Sequence, residues 1–250
     1  GSSRIPAYAA QAVNSFSAPA NRAALKATWE KGVRGLLEQA EPGSDHQLTF
    51  ARAFASSAHS DEALDTLEGL LDGSVVLAGL TIDTDLRWSL LGGLARAGRA
   101  GEEQIAEEER RDHTISGQER AAAARAARPT AEAKAAAWEI AVVRDDVPNE
   151  TQRSVVASFM QPGQEDVLAP YVDRYFSMAE TLWEEKGTQR ASTALEYIFP
   201  RPLASPELLS RAGAWLRESS ANPAAKRYVR EGAADVERYL AGQAKDSGEA

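Results

Sequence analysis

TIDTDLRWSLLGGLARAG, Thr81–Gly98, is the stretch whose reading decides the fold. It packs a Trp, two Arg and two acids around apolar residues, so it is either a reactive cluster or a buried helix. Leu86, Leu90, Leu94 and Ala97 recur at helical spacing, and Trp88 and Leu91 widen the stripe, which predicts a helix with a broad buried face. Asp83 or Thr84 is placed to cap it, and Asp85 sits in the first turn, where the helix dipole favours an acid. Gly92-Gly93 costs about 1 kcal/mol each against Ala in a helix, acceptable where a neighbouring helix must come close. Packing then accounts for every residue of the stretch except Arg87, which is either a solvated or locally paired side chain or a contact to a ligand.

The same pattern runs outward in both directions. Period-two alternation is scarce, and helix punctuation is frequent. Ser44 with Gln47 and Ser116 with Glu119 have capping-box spacing, and Ser205-Pro206 and Asn222-Pro223 place a cap before a first-turn Pro. Gly43, Gly73, Gly98 and Gly187 stand where a left-handed residue would stop a helix. Helices are expected at 4–16, 19–40, 44–58, 60–72, 84–97, 101–112, 116–127, 130–144, 149–160, 164–186, 188–199, 206–218 and 223–243. Connections this short make consecutive helices antiparallel neighbours. The expected fold is therefore all-α, an irregular HEAT-like solenoid of helix hairpins rather than a closed bundle. No Pro-, Gly- or Ser-rich linker divides residues 1–250, so one continuous domain is expected, with 1–3 read as a cloning remnant and 245–250 as a frayed tail.

Composition narrows the function classes. Hydrophobic residues at 43% and charged residues at 26% are ordinary for a globular chain. Lys+Arg 28 against Asp+Glu 37 gives a net charge of −9, the wrong sign for a broad phosphate-neutralising face, so no nucleic-acid partner is expected. No apolar run reaches the roughly 18 residues a membrane span needs. Cys 0 removes thiol nucleophiles and Cys-ligated zinc and fits a reducing, cytoplasmic setting.

Reactive motifs are missing as well. His46, His59 and His113 form no His-Glu-x-x-His run and no i, i+4 pair, so no metal site is expected in this chain. Ser44-Asp45-His46 holds the residue types of a hydrolase triad, but triad members converge from separate elements, and a helix cap is the better reading. Glu102-Glu103 and Glu107-Glu108-Glu109, beside Arg110-Arg111, read as a solvated face with a Glu107–Arg111 pair rather than a metal site. Asp145-Asp146 reads as the loop before a helix capped by Asn149, and Trp29, Trp138, Trp183 and Trp215 read as core. Arg190 starts a helix that ends at Phe199-Pro200-Arg201-Pro202, where two prolines hold Arg201 on a stiff connection. Arg190, Arg201 and Arg87 are thus the candidates for contact with an anionic group on a substrate or partner. No catalytic residue is expected.

Leu71-Asp-Gly73, Gly79-Leu80, Asp83 to Trp88, Leu90-Leu-Gly-Gly-Leu94, Trp138, Asn149, Tyr171-Val172, Tyr175-Phe176 and Trp183 together carry a resemblance. Over nearly its whole length the chain resembles the C-terminal helical domain of the M1-family zinc aminopeptidases, nearest its bacterial aminopeptidase N members. The same domain ends the endoplasmic-reticulum aminopeptidases. The resemblance implies a concave bowl of antiparallel helices that closes over a separate catalytic domain of the same polypeptide and shapes the access of peptide N-termini. It also implies that zinc and the residues that use it belong to that preceding domain. Two other classes are carried alongside: a free-standing helical-repeat adaptor for another protein, and a metal-dependent α-helical enzyme, which would need a convergent acid cluster.

Overall fold

The computed structural model describes residues 4–248, so the reading of 1–3 lies outside the described residues. In order along the chain run α1 (Arg4–Gln11), α2 (Pro19–Gln39), α3 (Asp45–Ser57), α4 (Asp61–Asp72), α5 (Thr84–Arg96), α6 (Glu102–Arg111) and α7 (Ile115–Ala127). They are followed by α8 (Ala131–Trp138), α9 (Asn149–Phe159), α10 (Glu165–Leu168), α11 (Tyr171–Tyr197), α12 (Pro206–Glu218) and α13 (Pro223–Ser247). Wider π turns, Ala12–Phe16 and Glu139–Val143, extend α1 and α8, and a 3-10 turn spans Arg201–Leu203. Among the described residues there is no strand, and the fold is all-α.

Local chemistry explains most boundaries. The side chains of Ser44, Ser60, Asp83, Thr130 and Ser205 each accept the amide three residues on, and Asn222 accepts that of Ala224. Two expected caps move. Thr114, rather than Ser116, caps α7 by accepting from the Gly117 amide, because Asp112 bonds the Thr114 hydroxyl at 2.7 Å and fixes the turn. Pro148 precedes α9, and Asn149 is its first residue, with its side-chain oxygen turned to Arg190. The helix expected over 164–186 is broken, since Pro170 has no N–H to continue the ladder and separates α10 from α11. Gly187, at φ 76° and ψ 173°, is non-helical, so the Tyr171–Tyr197 span is two helices meeting at a kink, and the break falls at the glycine where a stop was expected. The last helix runs on to Ser247, so Lys245 to Ser247 are helical, and residues 249–250 of the expected frayed tail lie outside the described residues.

From α3 onward the odd-numbered helices stack on one another: α3 on α5, α5 on α7, α7 on α9, α9 on α11 and α11 on α13. The even-numbered α4, α6, α8 and α12 pack on the hairpin neighbour that follows or precedes them. This alternation comes from short connections, which return each chain segment beside the last. Two apolar clusters result. One gathers Val33, Phe54, Leu67, Leu86, Leu90 and Ile105; the other gathers Phe159, Leu168, Tyr175, Phe176, Leu195 and Phe199. Helix α7 belongs to both, giving Ala121 and Ala124 to the first and Ala126 to the second. The row is not open-ended, however. Helix α13 returns to α2 and to the turn Ala12–Phe16, with Tyr239 edge-on to Phe16 at 5.1 Å and the Asp246 carboxylate accepting the Ala18 amide at 2.7 Å.

Candidate functional site

Because α3, α5, α7 and α9 stack as alternate members of hairpins, their carboxyl ends come to one edge of the protein. Helix ends expose carbonyls that need donors. Here donor side chains from the next elements supply them. Arg96 donates to the carbonyls of Ser56, Ala55 and Ala58 at the end of α3. Gln164 donates to Arg96 O at 3.0 Å and Ala127 O at 2.7 Å, joining the ends of α5 and α7. Lys134 donates to Ala126 O and Phe159 O, both at 2.8 Å, joining α7 to α9. It is wholly buried, and burial pushes its pKa down to about 7, so the neutral amine, with two N–H donors facing two carbonyls, becomes the main form as the pH rises above neutral.

The same edge borders a cavity of about 770 Å³ between α1, α2, α3 and the Gln161–Gln164 loop. Its cationic wall residues are Lys26, Arg52 and Arg96, with His59 beside them and no Asp or Glu in the wall. A neighbouring cavity of about 680 Å³ shares Arg52, Ser56, Arg96 and Gln161 with it and runs over α5 and α7 past Ser89, Gly92 and Ala123.

The three arginines singled out in the sequence lie elsewhere, each with its donors used inside the chain. Arg87 forks onto Glu108, Nε to Oε1 at 2.7 Å and Nη2 to Oε2 at 2.8 Å, and also reaches Leu71 O. That bond is the main cause holding its guanidinium above the ordinary range. Arg190 binds Asn149 Oδ1, Arg144 O and Val147 O and so ties down the loop before α9. Arg201 bonds Asp235 Oδ2 at 2.8 Å and Glu196 O at 2.7 Å. They are not brought together. The acidic face also differs from expectation: Glu108 is buried against Arg87, and Glu107 pairs with Arg110 rather than Arg111. Trp88, whose partner was unforeseen, donates to Asp112 Oδ2 at 2.8 Å.

Among the described residues no group of three or more His, Asp or Glu is placed to hold a metal ion. His59 is held by Glu30 at 2.8 Å, and His46 stacks on Phe50. Among the described residues, then, no donor set fits a zinc ion.

The family model described as the ERAP1-like C-terminal domain matches residues 3–238. The chain belongs to that family. Within it, the chain is 42% identical over 236 residues to an aminopeptidase N of Streptomyces lividans. That alignment covers 94% of this chain and 28% of the relative, so the chain spans little more than a quarter of the length of the protein it matches. Family membership accounts for the diffuse character of the sequence signature, which lies in packing residues such as Leu86, Leu90 and Tyr175 rather than in a reactive string. The cationic cavity of this ERAP1-like C-terminal domain was missed in the sequence. Lys26, Arg52 and Arg96 stand 26 and 44 positions apart on three helices, and no spacing rule joins them.

Proposed function

We propose that this chain is the noncatalytic helical part of a zinc aminopeptidase, packing against the catalytic domain of the same polypeptide and shaping the access of peptide N-termini to it. The observation that carries the reading is the family match over residues 3–238 joined to a relative, aminopeptidase N, of which only 28% is covered. Residues 1–250 are read as one continuous domain, with α7 shared between both apolar clusters. The hairpin row, with α13 returned to α2, supports a concave, bowl-like surface. Zinc belongs, in this reading, to the catalytic domain, where it would polarise the scissile carbonyl and activate water. This chain's part is to bind and to exclude. Arg87, Arg190 and Arg201 act in it as struts, fixing α5 to α6, the loop before α9, and α13 to the 3-10 turn. The setting is cytoplasmic, in keeping with the absence of Cys; among the described residues no helix is long and apolar enough to cross a membrane.

The test is complementation. Streptomyces aminopeptidase N from which the matched stretch has been removed is mixed with this chain, and association and turnover of an aminoacyl substrate are followed. Binding with a gain of about tenfold or more in kcat/KM is expected, equivalent to ~1.4 kcal/mol. A chain that neither associates nor alters turnover contradicts the proposal and leaves the free-standing adaptor reading in its place.

A further inference from the structure

The chain carries a net charge of −9, yet the wall of its 770 Å³ cavity holds Lys26, Arg52 and Arg96 and no carboxylate. Like charges concentrate there. Burial lowers the Lys26 ammonium from its ordinary range, Glu165 opposes that, and Arg22 and Arg96 add to it by repulsion. Arg22 and Lys26 share a face one turn apart on α2, a spacing that costs stability when both are charged. Glu30, the nearest acid along α2, is committed to His59 and the Ser60 amide and hydroxyl. Arg96 is immobilised by the α3 carbonyls, and burial holds it below its ordinary range with no carboxylate to offset its charge. One buried donor close to this cluster has no partner among the described residues, the Nε of Arg22.

Packing alone does not require such a gathering. The carboxyl ends of α3 and α5 call for donors, but Arg96 and Gln164 already serve them. Lys26 and Arg52 remain, Arg52 exposed on the cavity side of α3 and Lys26 with its Nζ beside the Gly163 turn. Thr49 and Asn14 add side-chain donors to the same wall. We propose that this cavity binds the anionic group of a small ligand, a carboxylate or a phosphate, between Lys26 and Arg52 with Arg96 behind them. The assignment is independent of whether a zinc-bearing domain accompanies the chain.

The experiment is calorimetric titration of the chain with three probes: N-acetyl-trialanine with a free carboxylate, the same peptide as its C-terminal amide, and inorganic phosphate. The acid, the phosphate or both should bind, and the amide about tenfold more weakly or not at all. Preference between acid and phosphate identifies the source of the anion. Arg52→Glu lies on an exposed position and should leave the melting temperature unchanged while abolishing binding; Lys26→Ala should weaken it by about tenfold. Arg96 is left intact because it caps α3. Equal binding of acid and amide, binding that survives Arg52→Glu, or no binding of any probe at about 10 mM would each overturn the assignment.

Discussion

Lys134 shows how far a single side chain is dictated by surroundings its sequence does not reveal. It lies in the run Ala-Glu-Ala-Lys-Ala-Ala-Ala, which reads as a helix surface, yet it is fully buried between the ends of α7 and α9 and stands 5.4 Å from the centre of the Phe159 ring. Its folded pKa of about 7 lies below the ordinary 10.5, so between those values the unfolded chain holds a proton that the folded chain has lost. Stability from this group therefore rises with pH across that window, by at most about 1.4 kcal/mol per pH unit, and is flat below it. Lys134→Met should erase the slope. Urea unfolding of both proteins at pH of about 6, 8 and 9.5 should give a stability difference that grows with pH in favour of Lys; a constant difference would contradict a neutral buried amine. The Arg87–Glu108 pair makes a second test. Glu108→Ala strands a half-buried guanidinium and should cost roughly 3 kcal/mol, and Arg87→Lys should not preserve the wild-type stability, because an ammonium lacks the two-pronged geometry. The pairing itself was not legible: the residues are 21 positions apart, Arg87 reads as solvated, locally paired or ligand-bound, and Glu108 reads as part of a solvated face.

At the scale of the element the sequence is far more transparent, because helix starts and stops are local chemistry. Ser44, Asp83, Ser205 and Asn222 cap as their spacing implies, and Gly73 ends α4 in the left-handed region. Where the reading failed, a local rule was outvoted by another. Apolar periodicity carries through Val167, Leu168, Tyr171 and Val172 and hides the break that Pro170 imposes. Thr114 takes the cap from Ser116 because Asp112, itself anchored by Trp88, orients the turn. The Gly92-Gly93 pair separates two causes that the sequence merges. A Cβ at Gly93 would stand 2.4 Å from Ala55 O, so this glycine lets α5 press on α3; a Cβ at Gly92 would meet nothing within 4 Å. Gly93→Ala should therefore destabilise by about 1–3 kcal/mol through overpacking, and Gly92→Ala should stabilise by up to about 1 kcal/mol through helix propensity. Thermal or denaturant unfolding of the two variants checks the sign; equal effects would refute the close approach.

For the whole molecule, hairpin order was legible because short connections leave consecutive helices little choice of neighbour, but closure was not. Residues 15–21 meet residues 239–246 across nearly the full length of the chain, and nothing local announces it. Tyr239→Ala should release that contact, costing roughly 3–5 kcal/mol if it unfolds with the rest, and should accelerate amide exchange in α1 and α2 more than in α9. Uniform exchange across the chain would show that the ends are not joined. The cationic cavity was equally invisible, since it exists only once α2, α3 and α5 are side by side. In the proposed reading these residues wedge helices together, and bond-breaking chemistry belongs to a catalytic domain of the same polypeptide. Metal analysis and aminopeptidase assay of the purified 250-residue chain test this most directly. The account predicts neither stoichiometric zinc nor release of an N-terminal residue; one zinc per chain with turnover would contradict it.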